Sequence, residues 1–357
     1  MVDCGTWRGR PSRATDRLVR VLDEDGLRRL DTLVVTHFDA DHWEGLRLLA
    51  ENLRFLARPT MKLYYPRLPD RAPKVADATF AMLVTSRFSG TRPLELATAL
   101  ESVAKVVRHP LARGNEFEAG QRRWEVMWPP EQLSPGLWRR LERAVREAEE
   151  LAQRLDRAGF PMLRANLEEA YERPFPGGDD TTSHYETGRN DGWADDAAAW
   201  DLGQQQRQSR GVRSATGSRH RERPGKPANG VHGLDAVSSE LIPSEFRGAF
   251  IETSKRLAAA NNDISLVFHD RHSSLAVFGD ASRQVLRSAL RGMDSHYRVV
   301  LAPHHGTYRL PSAFPSADVC IAQAGDSHAE RWPTHLADHK QRRSCVNTAR
   351  VGTISVW

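Results

Sequence analysis

A chain of 357 residues is long enough for one large domain or two modest ones. Its hydrophobic content of 39% is low, which predicts a sizeable segment outside any core, and its formal net charge of +5 suits an anionic partner without requiring one. Cys4, Cys320 and Cys345 lie too far apart for a disulfide framework or a C-x-x-C metal site. No apolar run approaches the ~20 residues that span a bilayer, and no secretory h-region opens the chain, so a cytoplasmic protein with no membrane segment is the expectation.

The chain opens on Val2-Asp3-Cys4-Gly5, which reads as the tail of a buried strand entering a turn. With no hairpin partner before it, the expectation is either a start further upstream or an open sheet edge, and an open edge invites association. Residues 14–30 carry helical spacing, broken near Gly26, and lead to a strand at 32–36.

At the end of that strand stand four potential metal ligands within six positions, His37, Asp39, Asp41 and His42. Residues 43–50 then return to helical spacing, so the ligands occupy a strand-to-helix loop on a rigid scaffold. Imidazole with carboxylate suits zinc, manganese or iron, with no soft thiolate offered. Crowding two carboxylates is unfavourable without a cation, because each raises the other's pKa. A solvated acidic loop rarely follows a buried strand in this pattern.

Further along, 61–65 predicts a strand, 94–107 a helix and 117–128 a hairpin turning through Glu118-Ala119-Gly120-Gln121. Ser134-Pro135 supplies an N-cap and a first-turn proline for a helix whose stripe of Leu137, Trp138, Leu141, Val145, Ala148, Leu151 and Leu155 reads as a packing face. From 174 to 239, Gly, Asp, Ser, Gln and Arg dominate and apolar residues are sparse, so a disordered polar and basic insertion is expected. It separates two parts of one domain, 1–173 and 240–357. Its arginines, from Arg207 to Arg223, make either a solvated linker or a tether for nucleic acid phosphates.

Beyond it come a helix at 246–260, strands at 264–268 and 274–278 ending in Gly279-Asp280, and a helix at 281–293. A strand at 297–302 then ends in Pro303-His304-His305-Gly306-Thr307, with further strands at 319–322 and 353–357. His37 to His42, Asp280 and His304-His305 thus each follow an apolar strand. Strand ends on one sheet edge converge, and a carboxylate such as Asp280 can bridge two cations.

This set resembles the metallo-β-lactamase superfamily, and within it the hydrolase domain of the ComEC-type DNA-uptake proteins and their free-standing relatives. The residues that carry the resemblance are Val2 to Gly5, Thr36-His37-Phe38-Asp39-Ala40-Asp41-His42, Asn262-Asp263-Ile264-Ser265-Leu266-Val267, Phe278-Gly279-Asp280 and Pro303 to Thr307. The resemblance implies an α/β fold, an αββα sandwich, here with a long insertion and an apparently truncated opening hairpin.

It also implies two divalent metal ions, zinc or manganese, with His37 and Asp39 on one, Asp41 and His42 on the other, and Asp280 bridging. One of His304 and His305 completes the set, with His305 favoured. Asp41 is the catalytic candidate that orients or deprotonates the attacking water, and Asn262, Ser265 and Thr307 are the substrate-binding candidates. The sequence departs from the pattern where Trp332, in Arg331-Trp332-Pro333-Thr334, stands in place of a histidine that His328 or His335 would have to replace. The membrane channel of the uptake proteins is missing.

The leading functional expectation is a metal-dependent phosphodiesterase or nuclease using a metal-activated hydroxide, with nucleic acid as partner. The alternatives are a small-molecule ester, thioester or phosphodiester hydrolase on the same scaffold, and a catalytically decayed binding or regulatory protein, since fold does not fix function.

Overall fold

The computed structural model describes residues 1–3, 16, 19–20, 22–24, 30–39, 42–43, 60–67, 74–86, 100–101, 104–172, 242–272, 274–307, 310–323 and 344–348. Three parallel strands form the smaller sheet, in the order β1 (Thr32–Val34), β2 (Thr60–Pro66) and β3 (Lys105–Leu111). Val2 adds a parallel bridge to Val34 on the free side of β1.

The larger sheet begins with the hairpin β4 (Glu116–Ala119) and β5 (Arg122–Trp128), whose two-residue turn places Gly120 and Gln121 at φ of 60° and 59°. Both central residues are left-handed there, the backbone that matches strand twist in a tight hairpin. The sheet continues through β6 (Val267–Asp270), β7 (Leu275–Val277), β8 (His296–Leu301), β9 (Ser316–Ala322) and β10 (Ser344–Asn347). Pairing is antiparallel as far as β7 and parallel from β7 to β10. Because β5 pairs with β6, the segments on either side of residues 173–241 share one sheet.

Alternating side chains make the layers. Val34, Tyr64 and Leu111 from the smaller sheet meet Phe117, Trp124, Val126, Phe268 and Val277 from the larger one in a single apolar cluster between them. The opposite faces join helices. Leu33, Met61, Leu63 and Tyr65 belong to a second cluster with residues of α1 (Val75–Ser86), α2 (Pro135–Arg157), α3 (Met162–Glu172) and α4 (Ser244–Asp263). Val267, Ala276, Phe278, Tyr297 and Val300 join the same cluster with Val285, Leu286 and Ala289 of α5 (Arg283–Ala289). The result is a mixed α/β fold with two facing sheets and helices on their outer faces.

Helix α2 starts as its sequence dictates. The Ser134 hydroxyl accepts from the Leu137 N–H at 3.3 Å, Pro135 fills the first turn, and the expected stripe is buried except at its partly exposed Trp138. One element differs from expectation. Residues 105–111 form strand β3 where 94–107 had helical spacing, and helix is confined to Leu100 and Glu101 among the described residues there. Among the described residues β3 is the edge of its sheet, which is why Pro110 is tolerated in it and why the run lacks clean alternation. Helices α1 and α3 and strand β10 had no sequence expectation. The expected insertion at 174–239, the strand at 353–357, the stretch Arg331 to Thr334 with His328 and His335, and Cys4 lie outside the described residues. Cys320 is fully buried. Among the described residues, no helix is long and apolar enough to cross a membrane.

Candidate metal centre

The chain leaves β1 through Val35 and Thr36 and enters a loop in which polar and apolar side chains alternate. Phe38 is fully buried, with ring centroids 6.0 Å from Phe80 and 6.5 Å from Tyr65. Trp43 packs edge-on against Phe80 at 5.3 Å and donates its indole N–H to the Phe38 carbonyl at 3.1 Å. These two aromatic anchors pin the loop to the core, so His37, Asp39 and His42 project to the other side. The His42 N–H closes the turn on the Asp39 carbonyl at 3.0 Å.

Two further strand ends arrive at the same place. After β7 the chain turns through Gly279, at φ 47°, to Asp280. The Asp280 N–H donates to the Ser265 hydroxyl at 2.9 Å, and the Leu266 N–H ties the neighbouring segment to the Thr36 carbonyl at 2.7 Å. A Cβ on Gly279 would lie 2.4 Å from Ser265 Oγ and 2.9 Å from Thr36 Cβ, so only glycine permits the close approach. After β8, His304 and His305 both adopt left-handed backbone, at φ 49° and 57°, and the His304 N–H bonds the Gly279 carbonyl at 2.9 Å. Two consecutive non-glycine residues in that region hold local strain, a feature that concentrates at functional sites.

Four imidazoles surround one carboxylate. Asp280 Oδ1 lies 3.5 Å from His42 Nε2, and Oδ2 lies 3.8 Å from His37 Nε2, 3.9 Å from His304 Nε2 and 3.5 Å from His305 Nε2. Asp39 Oδ2 is 3.6 Å from His37 Nε2. His37, His42 and Asp280 form the tightest group, each offering a ligand atom within 4.8 Å of the others.

The opposite nitrogens fix the tautomers. His42 Nδ1 is 2.9 Å from Asp3 Oδ2, and His305 Nδ1 is 2.6 Å from the Gln323 carbonyl. Both partners only accept, so each Nδ1 carries the proton. Thr307 Oγ1 donates to the His304 carbonyl at 2.7 Å and therefore accepts from His304 Nδ1 at 2.6 Å. Thr36 Oγ1 donates to Asp3 Oδ2 at 2.6 Å, leaving its oxygen to accept from His37 Nδ1 at 3.2 Å. Every Nε2 lone pair thus faces the Asp280 carboxylate at distances too long for good hydrogen bonds.

Lone pairs and a carboxylate pointed at one another repel unless a cation lies between them. His37 Nε2 is buried without a hydrogen-bond partner, a costly arrangement that a metal ion would resolve. Burial opposes the charge on Asp280, and only positive charge at His305, His304 and His42 holds its carboxyl well below the usual carboxylate range; with those rings neutral, a cation has to supply that charge. The donor set of imidazole and carboxylate therefore fits a divalent cation.

The structure brings His37, Asp39, His42, Asp280, His304 and His305 together; Asp41 lies outside the described residues. His304 and His305 both aim Nε2 at Asp280, with His305 nearer. The Ser265 and Thr307 hydroxyls are engaged with Asp280 and His304, and Asn262 is buried, its side-chain oxygen without a hydrogen-bond partner.

Two residues were not selected from the sequence. Asp3 accepts from the Thr36 N–H at 2.7 Å and from its hydroxyl, and orients His42. Carboxylates that fix a ligating imidazole in this way raise its basicity. Asn261 reaches Asp39. Asp3 had a signal, its place in Val2 to Gly5, whereas Asn261 had only its adjacency to Asn262.

Residues 1–131 match the family model of the metallo-β-lactamase superfamily, whose members are generally hydrolytic metalloenzymes. No curated protein and no solved structure matches the chain.

Proposed function

We propose that the protein is a metal-dependent phosphodiesterase, a nuclease of the ComEC-like kind. The observation that carries the metal reading is the convergence of four imidazole Nε2 atoms on both oxygens of Asp280. His37 and Asp39 would hold one divalent ion, and His42 with His304 or His305 the other. Asp280 would serve both, since its Oδ1 faces His42 and its Oδ2 faces the other three rings. Zinc or manganese suits this set, and such ions acidify bound water and neutralise charge developing at phosphorus.

The chain's own residues do the rest. Asp3, Thr36, Thr307 and the Gln323 carbonyl hold the ring protons on Nδ1, so no imidazole has to reorganise when an ion binds. Asp41 is the candidate to orient the attacking water. The net charge of +5 and the Asn262 to Val267 motif support a phosphodiester polymer over the small-molecule ester and thioester alternatives.

Elemental analysis of the purified protein, paired with cleavage of linear single- and double-stranded DNA in added manganese, tests this. Near two equivalents of metal with cleavage that weakens steeply as salt rises is the expected result. Metal with salt-insensitive turnover of a small chromogenic diester alone would replace the nuclease by a small-molecule hydrolase. No metal uptake and no rescue by manganese would end the enzymatic reading.

A further inference from the structure

We propose that Asn261 is a positioning residue that sets Asp39 as a single-oxygen ligand, clamping the metal loop to helices α1 and α4. The inference rests on the metal reading above. Asn261 is fully buried in the last turn of α4, and its Nδ2 lies 2.8 Å from Thr79 Oγ1 of α1 and 3.2 Å from Asp39 Oδ1.

The chemistry of the two neighbours fixes the amide. Thr79 spends its hydroxyl proton on the Val75 carbonyl at 2.8 Å, so its oxygen accepts. The Asp39 carboxylate also accepts. Both amide hydrogens are therefore committed, and the reversed amide would set its carbonyl oxygen against two acceptors. Asp39 Oδ1 is tied off, which leaves Oδ2, 3.6 Å from His37 Nε2, as the oxygen presented to the site.

The amide bears a cost for this. Its carbonyl oxygen is buried without a hydrogen-bond partner. A side chain kept for packing alone would have no reason to carry that burden, since an apolar residue would fill the space without it. Asp39 is itself partly exposed, so without the clamp its carboxylate would turn toward water.

The test titrates metal-stripped protein with Mn²⁺ by calorimetry and with Co²⁺ by visible absorption. It compares wild type, Asn261→Ala, Asn261→Asp and Asp39→Ala, with Asn261→Ala also made in the Asp39→Ala background. Circular dichroism and melting curves establish that each variant is folded. Asn261→Asp keeps the shape and loses the two donors, so it stands in where the alanine variant fails to fold.

Both Asn261 variants are expected to weaken Mn²⁺ binding by about 10–100-fold and to alter the Co²⁺ spectrum. In the Asp39→Ala background the second substitution should change affinity by less than about twofold, because the residue it positions is gone. Wild-type affinity in a folded Asn261→Ala protein overturns the inference. So does an equal loss in both backgrounds, which would make Asn261 a structural residue. A wild-type protein that takes up neither ion overturns the metal reading, and the inference with it.

Discussion

Two buried histidine environments show what separates a convergent site from a lone core imidazole. His269 sits mid-strand on β6, 5% exposed, with Nδ1 2.7 Å from the Tyr297 hydroxyl and Glu125 and Asp294 carboxylates 3.9 Å away. Burial raises the Tyr297 pKa, so the phenol stays protonated; it accepts from the Asp294 N–H at 3.0 Å and donates to the ring. The ring proton of His269 then lies on Nε2, on the side of the Glu125 carboxylate but too far from it for a hydrogen bond, so this nitrogen too is buried without a partner. His37 and His42 have the opposite arrangement, with Nδ1 protonated and Nε2 presenting a lone pair. Each environment buries an imidazole beside carboxylates, but only at the strand ends do several lone pairs meet. Burial and charged neighbours are common to both; convergence and tautomer are not.

Exchanging the residues should make that difference measurable. His37→Ala removes a ligand from the centre, and loss of the several kcal/mol that metal ions give to a displacement predicts a fall in hydrolysis of ~10³-fold or more. His269→Gln should leave hydrolysis within about threefold and lower stability by about 1–2 kcal/mol, the cost of one buried hydrogen-bonded group. Steady-state kinetics with a diester substrate and denaturant melts of both variants check the pair. Strong loss of turnover in a stable His269→Gln protein would erase the distinction.

Smaller effects should follow the elements that hold the strand ends together. Gly279→Ala places a methyl against Ser265 and Thr36 in left-handed backbone, and both penalties together predict roughly 2–4 kcal/mol of destabilisation. A melting temperature equal to wild type would show that the approach is looser than the structure has it. Asp3→Asn keeps the shape but weakens the acceptor behind His42, and about 10–100-fold lower metal affinity is expected with little change in melting.

The chain disclosed this centre unevenly. The loop after β1 stood out because a buried strand, four potential ligands within six positions and a return to helical spacing follow one another within a dozen or so positions. Helix α2 was legible because cap, proline and stripe agree. Strand β3 was misread because an edge strand with Pro110 has no period of its own, and its identity comes from pairing with β2. The support shell was illegible for a related reason. Asp3 acts on residues 33 and 39 positions away, and Asn261 acts on one 222 positions away. No local pattern encodes such approaches. Tautomers were likewise beyond the sequence, since they depend on which acceptor stands behind each ring.

A third histidine gives the mildest test of the same comparison. His109 on the edge strand β3 stacks on Tyr64 at 4.9 Å, and burial, with Lys62 nearby, lowers its pKa. The neutral ring is thus favoured in the folded protein, while the unfolded chain takes up its proton at about pH 6.5. Between the lowered folded value and that pH, the unfolded state binds more protons, so stability falls as pH drops through the window and levels off below it. His109→Gln should flatten that part of the stability curve and leave metal uptake untouched, because no ligand lies on β3. Denaturant midpoints from pH 5 to 8, compared with wild type, check it. An unchanged slope in the variant would mean that acid sensitivity in this range does not come from the edge histidine.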